Sequence, residues 1–192
     1  MDIGDSKKNA KKKGKPEKST GKWAVQVFFI AVVLSAVLSF ASDRALNGAG
    51  VAAAFTVLLA FILLGIFFDV IGVAVTAADE KPFHSMAARK TPGAKEALGL
   101  IRKADKVSSF CNDVIGDICG IIAGSTVAVI VVRLQTDFSL PAVVTSLALT
   151  ALTSGLTIGG KALGKSLAIA KNTQVLQLVG RFLHLFSSKK KR

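Results

Sequence analysis

The segment SSFCNDVIGDICG, residues 108–120, opens an apolar run that continues to Val132 and carries two acids, Asp113 and Asp117. An earlier run, FFDVIGVAVT, residues 67–76, holds a third acid, Asp69. Ionisable groups in hydrocarbon cost roughly 2.5–3.5 kcal/mol each on insertion scales, and they persist where they pair, line a cavity or hold an ion. The lengths of the surrounding runs decide whether these acids meet hydrocarbon. A crossing takes about 20 apolar residues at 1.5 Å rise each, covering roughly 30 Å. Residues 23–42, 50–78, 107–132 and 140–160 all qualify. The chain is 51% apolar in total, which is ordinary for a soluble domain, so the distribution carries the information. The fold expected is an all-α integral membrane protein of four transmembrane helices.

Charge orients it. Of 25 basic residues, eight lie in residues 1–22, seven in 79–106 and eight in 161–192, leaving Arg44 and Arg133 for the other two connections. By the positive-inside rule both termini and the long middle loop are cytoplasmic, and the expected location is a bacterial cytoplasmic membrane. The net charge of +13 is read as attraction to anionic lipid headgroups rather than to nucleic acid. Residues 1–22 and 189–192 are basic tails, the first expected to be disordered. No cleavable signal peptide is expected, because the first apolar run is full length and lacks a clear small-residue cleavage site.

Residues 23–42 read as an accessory helix with Trp23 as an interfacial anchor. Residues 50–78 exceed one crossing and are expected to tilt, kink or extend beyond the bilayer. Thr91-Pro92 predicts a helix start, Thr as cap and Pro at the first helical position. From there Ala94, Ala97, Leu98 and Ile101 recur at helical spacing, giving an amphipathic in-plane cytoplasmic helix over about 91–105. The fourth span is expected to end at Gly159-Gly160. A second in-plane helix over about 161–187 follows, with a polar stripe of Gln174, Gln177, Arg181 and His184. Gly116, Gly120 and Gly124 repeat every four residues, which suits close helix approach. Cys111 and Cys119 form no metal or CxxC pattern and are read as small residues at a helix contact.

At 1.5 Å per residue Asp69, Asp113 and Asp117 lie on the order of 10–15 Å from the cytoplasmic edge of their runs. Asp113 and Asp117, four apart, stack on one face, and Thr76 follows Asp69 two turns later. With Asn112 and the hydroxyls of Ser154 and Thr157 they make a candidate oxygen-ligand set for a hard divalent cation such as Mg²⁺. The competing reading has the acids protonated, or paired with Lys161 or Lys165 as structural contacts. No catalytic constellation is apparent: His84 and His184 are isolated, and Gly159-Gly160-Lys161 lacks phosphate-loop spacing.

From about 51 to 186 the chain resembles the transmembrane domain of the CorC/CNNM magnesium and cobalt transporters. FFDVIGVAVTAADEKPFHSMAARK looks like that family's first span with its S-x-S-E-T-A-L segment. TPGAKEALGLIRKADKVSSF is similar to its A-K-x-A-L-x-L helix, CNDVIGDICG stands at its G-N-x-x-x-N, and GKALGKSLA at its G-E-x-x-P-K-x-L-A. Departures are present. Asp69 replaces the first serine, Ile71 and Gly72 stand for the second serine and the glutamate, and Lys161 and Gly164 fall at an acid and a proline. Lys165, Leu167 and Ala168 keep the register. The resemblance implies a homodimeric domain over 50–188, without the CBS pair, holding Mg²⁺ among its spans, with 23–42 an added helix. Two main functions compete: a divalent-cation transporter with Asp69, Asn112, Asp113 and Asp117 as ligands, and a non-transporting scaffold or partner subunit in which lysines pair with the acids. A small holin-like pore is the third.

Overall fold

A computed structural model of the chain describes residues 20–48 and 50–189, with side chains described for 21–48 and 50–185. The expected disordered tail therefore lies outside the described residues, apart from residues 20–22, which form the first turn of a helix. All regular structure among the described residues is helical: α1 (Thr20–Leu46), α2 (Val51–Ala77), α3 (Glu80–Ala88), α4 (Ala94–Ile101), α5 (Ala104–Ser109), a π-helical turn (Phe110–Ile115), α6 (Gly116–Phe138), α7 (Ala142–Ala170) and α8 (Asn172–Lys189). Four stretches are long and apolar enough to cross a membrane: α1, α2, the continuous α5–π–α6 unit over Ala104–Phe138, and α7.

α2 is the hub, packing against α1, α5, α6, α7 and α8. Its contacts rest on glycines. Cys119 on α6 seats against Gly65, the Asn112 side chain fills the space beside Gly72, and Gly160 and Gly164 of α7 receive Ile66 and Val70. Small residues at these positions let helices approach closely where lipid supplies no hydrophobic drive between them. Gly120 and Gly124, by contrast, have open space around them. The four-residue glycine repeat expected to bring helices together thus does so only at its first member, Gly116, which faces Lys161.

Three expected boundaries move, each for a local reason. α7 does not stop at Gly160. It continues to Ala170, and Gly160 is a packing notch for Ile66 of α2 and not a break. Lys161 and Lys165 therefore lie in a spanning-length helix, and the following helix begins only at Asn172, whose amide donates to the carbonyls of Ala77 and Ile169. The helix expected from Thr91-Pro92 starts instead at Ala94. Gly93 is left-handed (φ 86°) and its backbone crosses that of Gly180 on α8 so tightly that neither admits a side chain. It also ends at Ile101, before α5 begins. The third long helix extends to Phe138, so Arg133 sits within it and reaches the carbonyls of Leu46 and Gly50 at the α1–α2 corner. An additional helix, α3, follows α2 directly. Asp79 accepts from the Lys81 amide as its N-cap, Glu80 fills the first turn, and Pro82 is tolerated there.

The core has two ends. Leu58, Ile62, Val127 and Ile130 join α2 to α6, while Phe83, Ala97, Leu98, Ile101 and Leu176 close α3, α4 and α8 under the far end of α2. Around this core the apolar surface is extensive: Val143 is 80% exposed, Leu147 73% and Leu163 77%. Apolar patches on this scale mark a surface made for a partner or a bilayer.

Candidate functional site

Asp69 is buried at 4% exposure, and its Oδ1 lies 3.9 Å from Nζ of Lys161. The helices dictate this meeting. Gly160 and Gly164 draw α7 onto α2 at Ile66 and Val70, which flank Asp69. Lys161, in the same stretch of α7, then extends between α2 and α6, with its ammonium 3.5 Å from the position a Cβ would take on Gly116. A buried charge is tolerated when paired, and here both partners come from the protein. The other carboxylate oxygen, Oδ2, is buried with no hydrogen-bond partner among the described residues. Beside Lys161 and Thr157 lies a void of about 10 Å³, lined also by Gly65, Gly116 and Cys119. That is room for about one water and far too little for a hydrated magnesium ion.

The remaining expected ligands lie elsewhere. Asn112 rests on Gly72, donates to the Ser108 hydroxyl at 3.3 Å, and keeps its buried carbonyl oxygen unpartnered. Asn112 and Asp113 share a cleft of about 310 Å³ with Thr76, Asp105, Ser108 and Ser109. The Thr76 hydroxyl donates to the Val73 carbonyl at 2.9 Å. Asp113 and Asp117 are exposed and floor a second, wider groove against α1. Ser154 and Thr157 face α6 across a pocket of about 240 Å³ lined by Gly120 and Gly124. Lys165 is exposed and pairs with none of the three acids. Asp69, Asp113 and Asp117 therefore do not share a pocket, and no group of three or more His, Cys, Asp or Glu placed to hold a metal ion occurs among the described residues.

The π-helical turn explains part of this arrangement. It holds Asn112 and Asp113, and the Gly116 amide bonds back to the Cys111 carbonyl five residues before it. Such widened turns occur mostly as single insertions and often at functional sites. Sequence reasoning passed over Asp105, which lines the Asn112–Asp113 cleft. It sits eight residues before Asp113 on a polar stretch, and that spacing was the available signal. His184 also finds a partner, Glu96, at 2.8 Å across the α4–α8 crossing. That hydrogen bond holds the Glu96 carboxyl below the ordinary carboxylate range. No protein-family model, curated protein or solved structure matches this chain.

Proposed function

We propose that the protein is a non-transporting membrane scaffold or partner subunit in which Lys161 supplies, from within the chain, the positive charge that a carried ion would otherwise bring to Asp69. The observation that carries this is the Asp69–Lys161 pair at 3.9 Å, with Asp69 buried at 4% exposure. In this reading α1, α2, the α5–π–α6 unit and α7 span the bilayer with both termini cytoplasmic. The exposed apolar belts of α1 and α7 face lipid. α4 and α8 lie along the inner surface, and the exposed Leu178, Phe182 and Leu185 of α8 enter the headgroup boundary.

A second reading rests on the Asn112–Asp113 cleft, in which every lining side chain carries an oxygen. Thr76, Asp105, Asn112 and Asp113 then hold a hydrated divalent cation such as Mg²⁺ at the end of the bundle. Thermal unfolding of the purified protein in detergent, with and without millimolar Mg²⁺, separates the readings. The scaffold reading expects no Mg²⁺-dependent stabilisation and no Mg²⁺ flux in proteoliposomes. Stabilisation that D105N and D113N abolish establishes the cleft instead. Stabilisation abolished by D69N overturns the scaffold reading in favour of an ion carried at Asp69.

A further inference from the structure

Neither Asp113 nor Asp117 has an ion pair or side-chain hydrogen bond among the described residues, and both face the same groove. Asp113 and Asp117 lie four residues apart on one helix face and are exposed. They floor a groove of about 650 Å³ between α1 and α6, walled by apolar side chains including Val27, Ala31, Val114 and Ile121. The groove is open rather than enclosed.

We propose that this groove receives one transmembrane helix of a partner protein carrying two basic side chains about one helical turn apart. The inference rests on the scaffold reading and names what the scaffold holds. Charge chooses the occupant. In a bilayer the two carboxylates need a cationic partner at their own depth, and an apolar groove accepts one on an apolar helix. A second copy of the chain fits poorly here. A two-fold contact uses the same patch on both subunits and sets four carboxylates against one another in low dielectric. The chain's own lysines do not serve either: Lys161 is engaged by Asp69, and Lys165 projects from α7, so pairing through it is head-to-tail and open-ended. Anionic lipid headgroups are repelled by the same charges.

The test uses the full chain in lipid nanodiscs and two synthetic leucine–alanine helices of about 20 apolar residues. One carries two lysines four residues apart in its cytoplasmic half, and the other has leucine there. The single tryptophan, Trp23, serves as the energy-transfer donor to an acceptor on the peptide. The dilysine helix is expected to associate about tenfold more tightly, the scale of one strong interhelical polar contact. The doubly substituted D113N/D117N chain is expected to erase that preference with its unfolding temperature unchanged. Because Ala31 lines the groove, A31F is expected to block both helices while leaving the acids in place. Equal association of the two helices overturns the proposal. So does displacement of the dilysine helix by a small lipophilic cation such as dodecyltrimethylammonium, or acid-dependent transfer between two labelled copies without peptide. The Mg²⁺ unfolding experiment is run without peptide, so failure of the scaffold reading and failure of the docking site are read separately.

Discussion

The α2–α7 seam and the α1–α6 groove contain the same kind of residue, a carboxylate within an apolar helix, in opposite circumstances. In the seam, glycine notches draw two helices together, and Lys161 of the same chain reaches Asp69. In the groove Asp113 and Asp117 are exposed and remain unpaired among the described residues. What separates a structural acid from an available one is the neighbour's shape. The acid's own sequence context says little about it.

The largest effect expected from breaking this contrast comes from removing the lysine alone. Lys161→Met strands a buried carboxylate and is expected to destabilise the protein by about 3–5 kcal/mol, measured by unfolding in detergent. Gly93→Ala is expected to follow at about 2–4 kcal/mol, combining a left-handed backbone penalty with collision against the α8 backbone. Gly120→Ala probes the open side and is expected to stabilise slightly, by up to about 1 kcal/mol from helix propensity, since nothing lies within 4 Å. If Gly120→Ala instead destabilises as strongly as a change at Gly164, the α6–α7 pocket that Gly120 lines is a closed contact. The smallest effect concerns the α4–α8 crossing. Glu96 has its pKa lowered by His184, so its contribution is complete above the ordinary value of 4.5 and is lost as pH falls through the lowered one. An acid-side fall in unfolding temperature that Glu96→Gln removes is the expected signature, worth less than about 1 kcal/mol for a part-exposed pair.

Much of this organisation is legible in residue order. The four long apolar helices follow from run length, and the polar positions worth attention follow from charge inside those runs. What stayed hidden depends on pairs of distant residues. Gly159-Gly160 reads as a helix end by composition, yet Gly160 is a notch that Ile66 occupies. Thr91-Pro92 is a sound cap signal that loses to the Gly93–Gly180 crossing, a contact between segments nearly ninety positions apart. The α3 cap was visible locally, in Asp79 and Pro82, but a loop read for its charge conceals it. Depth along the helices placed the three acids at one level; it carries no information about azimuth, and azimuth sends Asp69 toward α7 and the other two toward α1.

The most direct measurement is a double-mutant cycle between Asp69 and Lys161 on unfolding in detergent, using Asp69→Leu and Lys161→Met. Each single change is expected to destabilise, and the double variant is expected to recover most of the loss, giving a coupling of about 2–3 kcal/mol. Additive losses with no coupling contradict the internally neutralised core.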